Sequence, residues 1–145
     1  MKYLFYILFL SFVFSCGSTE KKEGETTKQK KVYDIYEPSE MAILMNQMYK
    51  RNEEIKKEIL AGKIPTEFPS DFLEIHTANL SDFKERNEKF EAFSNLFIEA
   101  EKEIFNTASA VPVENRFNNA INLCISCHQT ECTGPIPRIK KLIIK

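Results

Sequence analysis

The stretch NLCISCHQTEC, residues 122–132, brings three cysteines and a histidine together near the end of the chain. Cys127 follows Cys124 by three positions and His128 follows it by four, so on a helix the three side chains share one face. Such a face is expected to point into the interior of a helical bundle. The stretch is compatible with a metal site, a disulfide, a redox-active dithiol or a haem attachment site.

The spacing C-x-x-C-H at residues 124–128 is typical of covalent c-type haem attachment. Two thiols at this spacing can form thioethers with the vinyl groups while the next residue reaches the iron. A zinc site would draw on Cys124, Cys127, His128 and Cys132. It would need ligands at two adjacent positions, and no second C-x-x-C completes it. A thioredoxin-like dithiol is expected in a βαβ unit, which the sequence does not indicate. We therefore predict one covalent haem c, with a redox dithiol, a metal site and a structural disulfide as the alternatives.

The composition indicates one small helical domain. The chain of 145 residues is 43% hydrophobic, with 12 Phe, 4 Gly and no Trp, which is too short for two separate cores. Acidic and basic residues are interleaved, with a formal net charge of -1. Because no basic stripe could neutralise a phosphate backbone, nucleic acid is not expected as a partner.

The first long helix is predicted to begin at Ser39, a favourable N-cap residue. Gly62 and Pro65 should end it, and residues 64–80 read as a loop with one short helix beginning near Ser70. The apolar stripe of this first helix recurs at helical spacing: Met41, Leu44, Met45, Met48, Ile55 and Ile59.

A second long helix is predicted over residues 81–108, and a third begins after Pro112. The second carries the stripe Phe90, Phe93, Phe97, Ala100 and Ile104, and the third carries Phe117, Ile121, Cys124 and His128 on one face. Helices that each have one apolar face pack most simply as an antiparallel all-α bundle.

The N-terminus predicts export to the bacterial cell envelope. Residues 1–15 combine Lys2, an apolar run and small residues, as in a signal peptide. The stretch VFSC resembles a lipobox, which would make Cys16 the lipid-modified first residue of the mature chain. Residues 17–31 contain no apolar residue and are expected to act as a flexible linker. The folded, haem-binding domain is then residues 32–145, held at a membrane by the lipid on Cys16.

These features together resemble the class II cytochromes c, the family of cytochrome c′ and cytochrome c556. The resemblance covers roughly residues 39–128 and rests on the haem motif, the helical architecture and a Met-rich first helix. It implies a four-helix-bundle cytochrome fold, with haem attached in the last long helix. The short, proline-bounded second element and the C-terminal stretch with Cys132 depart from the family pattern and indicate a divergent branch.

The resemblance also implies roles for individual residues. Cys124 and Cys127 would carry the thioethers and His128 would be the proximal iron ligand. Residues 129–145 contain neither Met nor His, so a sixth ligand must lie upstream. Aligning the LMNQM stretch with the first helix of cytochrome c556 favours Met45, with Met41, an open position and His76 as alternatives. Cys132 has no role in the family.

Three functions are compatible with this pattern. The first is a membrane-anchored one-electron carrier that meets a redox partner protein in the envelope, and a homodimer is one assembly compatible with it. The second is a gas-binding protein like cytochrome c′, with an open sixth position for a ligand such as nitric oxide. The third is a non-haem thiol or metal-binding lipoprotein. No carboxylate pair or nucleophile and base set is legible, so enzymatic turnover is not expected.

Overall fold

The computed structural model describes residues 37–82 and 84–145, and the regular structure within these ranges is entirely helical. The predicted signal peptide, the lipid-modified Cys16 and the linker lie outside the described residues. The elements in chain order are α1 (Glu40–Leu60), a first 3₁₀ helix (Ser70–His76), α2 (Glu88–Ile104), α3 (Val113–Glu131), α4 (Ile136–Ile139) and a second 3₁₀ helix (Lys140–Leu142). The all-α prediction is therefore confirmed for these residues, as a bundle-like packing of helices.

Helix α1 begins and ends where the sequence predicts. The Ser39 side chain accepts a hydrogen bond from the backbone N–H of Ala42 at 3.2 Å, which satisfies one of the free donors of the first turn. Gly62 has a φ of 74°, a left-handed conformation that costs glycine little because it has no Cβ. The N–H of Gly62 donates to the carbonyl of Ile59 at 2.9 Å and closes the helix end.

Helix α2 is shorter than predicted, because the residues just before and just after it form hydrogen bonds outside the helix. Asn87 caps the N-terminus by accepting from the N–H of Phe90 at 2.8 Å. Just before it, Arg86 donates to the carbonyls of Ile75 and Ala78 at 2.7 Å each. These bonds tie the loop to the first 3₁₀ helix, so the loop does not continue α2 towards residue 81.

The C-terminal end of α2 is held by a buried arginine of α3. Arg116 is 5% exposed, and its Nη1 donates to the carbonyls of Glu103, Ile104 and Asn106, at 2.9 Å to Ile104 and 2.8 Å to Asn106. Carbonyls at a helix end need such donors. The helix therefore ends at Ile104 instead of the predicted residue 108.

The core has two clusters that meet at Cys124. The first cluster joins the C-terminal halves of α1 and α2 to α3 and the chain end, and includes Ile55, Ile59, Ile104, Phe117 and Ile121. The second joins the N-terminal half of α1 to the first 3₁₀ helix and α2, and includes Met41, Leu44, Met48, Phe72, Phe90 and Phe97. Helix α2 packs most extensively against α3.

The C-terminal stretch belongs to the core. Ile139, Leu142 and Ile144 are buried against the first cluster, and Lys56 Nζ donates to the carbonyls of Lys141 and Ile143 at 2.9 Å each. This stretch adds two short helices, α4 and the second 3₁₀ helix, to the bundle-like packing. No helix of the described ranges combines the length and the apolar character needed to cross a membrane.

Replacing Asn118 by alanine is expected to loosen this C-terminal segment. The Asn118 side chain donates to the carbonyl of Ile144 at 2.9 Å and accepts from its N–H at 2.8 Å. Removing both bonds leaves two backbone groups unpaired, and urea unfolding should show a loss of about 1–3 kcal/mol. Asn119→Ala, at the exposed neighbouring position, is the matched control and should change stability by less than about 0.5 kcal/mol. Equal losses in both variants would contradict the assigned role.

Candidate functional site

One cavity brings the predicted site residues together. Cys124, Cys127 and His128 line it from α3, and Met41, Met45 and Met48 line it from α1. Its volume is about 320 Å³, within the ~300–1,000 Å³ typical of small-molecule sites. Phe90 and Phe97 of α2 and Ile139 and Leu142 of the C-terminal segment complete an apolar lining.

The orientation of His128 is set by the end of α3. Its Nδ1 lies 2.8 Å from the carbonyl oxygen of Cys132. A carbonyl can only accept, so Nδ1 carries the proton and Nε2 is left with the free lone pair. A ligating histidine is commonly positioned by such a backbone bond. The sequence offered the Cys132 thiol as a candidate zinc ligand, but this thiol is exposed. The backbone carbonyl of Cys132 is the group that orients His128.

The three methionines of α1 differ in burial. Met41 and Met48 are buried in the second core cluster, whereas Met45 is half-buried and packs at the edge of that cluster. A thioether sulfur is a known axial haem ligand, and methionine also fills irregular apolar space well. Met45 thus faces the same cavity as His128 from the opposite helix, and its ligand role stays a prediction.

His76 lies elsewhere. It is not among the residues that line the cavity, and its Nδ1 is 3.4 Å from Ser94 Oγ and 4.0 Å from a carboxylate oxygen of Glu91. These contacts hold the first 3₁₀ helix against α2. His76, an alternative sixth ligand in the sequence analysis, therefore packs against α2 and does not line the cavity.

The thiols of the motif are free and protonated. Cys124, Cys127 and Cys132 form no disulfide. Burial raises the pKa of Cys127 to about 11, and the carboxylate of Glu131 adds to this effect. Burial also raises the pKa of Cys124, with further increases from the charges of Glu101 and Cys127. Because redox-active and metal-binding cysteines need accessible thiolates with a lowered pKa, this environment does not favour a redox dithiol.

Glu101 and Asn52 are buried polar residues that the sequence analysis did not identify. Glu101 is 0% exposed and Asn52 is 2% exposed. Burial raises the pKa of Glu101 to about 8, and the neighbouring Asn52 amide lowers it by a smaller amount. Each residue places a polar side chain in an apolar stripe of its helix. Glu101 follows Phe97 by four positions, and Asn52 follows Met48 by four positions. This interruption of the stripe is the sequence signal that could have revealed them.

Two cationic side chains lie on the cavity lining at its polar edge. The Arg138 guanidinium stacks 3.7 Å from the centre of the Tyr49 ring and donates to Asn46 Oδ1 at 2.7 Å. Lys84 donates to the backbone carbonyl of Glu131. All of these side chains belong to the cavity lining. Arg138 and Lys84 are able to pair with the carboxylates of a ligand, and the carboxylates of Glu85 and Glu131 line the same cavity.

The donor set fits a c-type haem. It combines two protonated thiols at C-x-x-C spacing, an imidazole with Nε2 free, a thioether on the facing helix, apolar walls and cationic groups at the edge. Within residues 37–82 and 84–145, no three His, Cys, Asp or Glu side chains are gathered as a metal-ion site. The four residues considered for zinc therefore do not form such a set.

No protein-family model matches the chain, and comparison with curated proteins and with solved structures found no match.

Proposed function

We propose that this protein is a c-type cytochrome that carries single electrons in the bacterial cell envelope, resembling a divergent class II cytochrome c. The observation that supports the proposal is the shared cavity, which is lined by Cys124, Cys127 and His128 of α3 and by the methionines of α1. A bound haem c would supply a one-electron Fe(III)/Fe(II) couple.

The residues of the chain would bind and enclose this group. Cys124 and Cys127 would hold it through thioethers, and Nε2 of His128 would face the iron because Nδ1 is engaged by the Cys132 carbonyl. Met45 is the proposed sixth ligand. The apolar side chains of α1 and α2 would exclude water, which favours an electron carrier because little rearrangement accompanies the change of charge.

The optical spectrum of the purified protein, oxidised and reduced, tests this function. Protein matured in a host that exports and attaches haem should show the spectrum of a low-spin c-type haem, and coulometry should find one electron per chain. The double variant Cys124→Ala, Cys127→Ala is the matched control and should lose the covalently held chromophore. A colourless wild-type protein from the same host would overturn the proposal in favour of a non-haem thiol protein.

A gas-binding function is the second candidate, because the methionines of α1 and the phenylalanines of α2 give the cavity a largely apolar wall, beside the polar Asn46, Tyr49 and Asn52. If Met45 does not ligate, a small ligand such as nitric oxide would meet Met41, Met48, Phe90 and Phe97. The ferrous protein would then be high-spin and would bind carbon monoxide readily. A low-spin ferrous protein that does not bind carbon monoxide would favour the electron-carrier function over the gas-binding function.

We also propose that Cys16 anchors the protein to a membrane, so that the domain reaches its redox partner by moving on a tether. Cys16→Ser should move the protein from the membrane fraction to the soluble fraction after cell disruption. Several acyl chains on one residue bind a membrane stably, and a serine at this position would carry no acyl chain. Ser18→Ala, two positions further on, is the control and should stay in the membrane fraction. Mass spectrometry that finds a mature N-terminus elsewhere, without an acyl group, would contradict the anchor.

A further inference from the structure

Three buried acceptor atoms of Glu101 and Asn52 lie near one another. Both carboxylate oxygens of Glu101 and Oδ1 of Asn52 lack a hydrogen-bond partner within the part of the chain that the structure describes. The Asn52 amide nitrogen has two N–H donors: one donates to the carbonyl of Met48 at 3.2 Å, and the amide also lies near the Glu101 carboxyl and lowers its pKa. Buried polar atoms in this state are costly. One added proton on Glu101 would turn an acceptor into a donor for Asn52 Oδ1.

This pair adjoins the cavity, because Asn52 lines it and Glu101 is the buried neighbour of Asn52. Asn52 and Cys124 both line the cavity, and the Glu101 carboxyl is close enough to Cys124 for its charge to act on the thiol. A group attached to Cys124 would therefore be near Glu101 in an apolar interior. Charges interact strongly there, because the effective dielectric constant is far below that of water.

Few other charged groups face Glu101. Helix α3 presents Cys124 and α1 presents the neutral Asn52. The His76 ring of the first 3₁₀ helix lies near Ser94, about two helical turns from Glu101 along α2. The Arg116 guanidinium donates to the carbonyls at the C-terminal end of α2. Lys56 of α1 donates to a backbone carbonyl of the C-terminal segment. A change of charge in the cavity would thus act on Glu101 with little competition.

We propose that Glu101 is the proton-binding partner of the redox site, taking up one proton when one electron enters the cavity and releasing it on oxidation. This inference rests on the proposed electron-carrier function. With haem bound, one electron from the envelope redox partner would reduce Fe(III) to Fe(II). One proton arrives from water and converts the Glu101 carboxylate to a carboxylic acid, so the charge of the buried site is unchanged. Oxidation returns the electron to a partner and the proton to water.

The raised proton affinity of Glu101 supports this coupling. Its pKa of about 8 belongs to a buried carboxyl next to free thiols. An oxidised haem adds one positive charge, which lowers this pKa, and reduction removes that charge and raises the pKa again. Glu101 therefore gains or loses its proton near neutral pH. The reduced protein holds this proton more tightly than the oxidised protein.

Potentiometry of the haem-loaded protein at a series of pH values tests the coupling. The reduction potential of the wild type should fall with rising pH across a window near neutrality, with a slope that approaches about 59 mV per pH unit because each unit is a tenfold change in proton activity. Glu101→Gln, a neutral isostere, should remove this window. Glu99→Gln changes an exposed carboxyl of the same helix, and should keep the wild-type slope.

If Glu101→Gln folds poorly, an infrared measurement on the wild type tests the same proton uptake. The infrared difference spectrum between reduced and oxidised protein should gain the C=O stretch of one carboxylic acid on reduction. The inference is overturned if the potential of a haem-loaded protein does not depend on pH, if the slope persists in Glu101→Gln, or if no carboxylic acid band appears. Each of these results leaves the electron-carrier proposal intact, whereas a protein without haem would end both.

Discussion

Met45→Ala is expected to convert the haem iron from a low-spin state to a high-spin state that accepts external ligands, and to lower the reduction potential. The thioether sulfur of Met45 would be lost as the sixth ligand, and methionine ligation raises the potential of a haem. The structure places Met45 on the cavity wall that faces His128, half-buried and at the edge of the core. Electronic spectra of the oxidised and reduced holoprotein, together with potentiometry, would measure both changes.

Volume-matched variants separate ligation from packing. Met45→Leu keeps nearly the same apolar volume but has no sulfur, so it should reproduce the high-spin spectrum with little loss of stability. Met48→Ala should leave the spin state unchanged, although truncating this buried side chain should cost about 2–5 kcal/mol of folding stability. His76→Ala should also keep the low-spin spectrum. A wild-type protein that is already high-spin and binds carbon monoxide would refute Met45 as a stable ligand and favour the gas-binding function.

Glu101→Gln is expected to change how folding stability depends on pH. The folded protein binds the Glu101 proton with a pKa of about 8, against an ordinary value of 4.5. Below pH 4.5 both the folded and unfolded states hold the proton, and the stabilising contribution is fully present. Between pH 4.5 and 8 the unfolded chain releases its proton while the folded chain keeps it, so stability falls as pH rises. Above the folded pKa the contribution is lost.

The size of this effect is on the order of several kcal/mol, since each unit of difference in pKa is worth about 1.4 kcal/mol. Urea unfolding of the haem-free protein at about pH 5 and about pH 9 would measure it. The glutamine variant should gain stability relative to wild type as pH rises, because its amide does not titrate. Glu99→Gln should show no such gain. A constant difference between Glu101→Gln and wild type would mean that Glu101 has an ordinary pKa.

The sequence predicted those parts of the fold that depend on local signals. The Ser39 cap, the glycine at residue 62 and the apolar stripe of α1 are found as expected, because capping and helical periodicity act over a few residues. The bounds of α2 were wrong at both ends. They depend on Arg86 and Arg116, which bind backbone carbonyls remote in sequence, and spacing alone does not reveal such long-range bonds.

The candidate site was predictable from its motif, but its surroundings were not. The C-x-x-C-H spacing placed Cys124, Cys127 and His128 on one face, and the methionines of α1 line the same cavity. The carbonyl of Cys132 as the partner of His128 required the geometry of the helix end. The two short helices at Ile136–Ile139 and Lys140–Leu142 were not predicted, because the stretch is too short to show a helical period.

The most direct test of the account is the intact mass of the mature protein from an export-competent host that attaches c-type haem. After denaturation in acid and organic solvent, each chain should retain the mass of one haem, and peptide mapping should place it on Cys124 and Cys127. The double variant of these cysteines, treated in the same way, should lose it. Unmodified Cys124 and Cys127 in the native wild-type protein from that host would contradict the central claim.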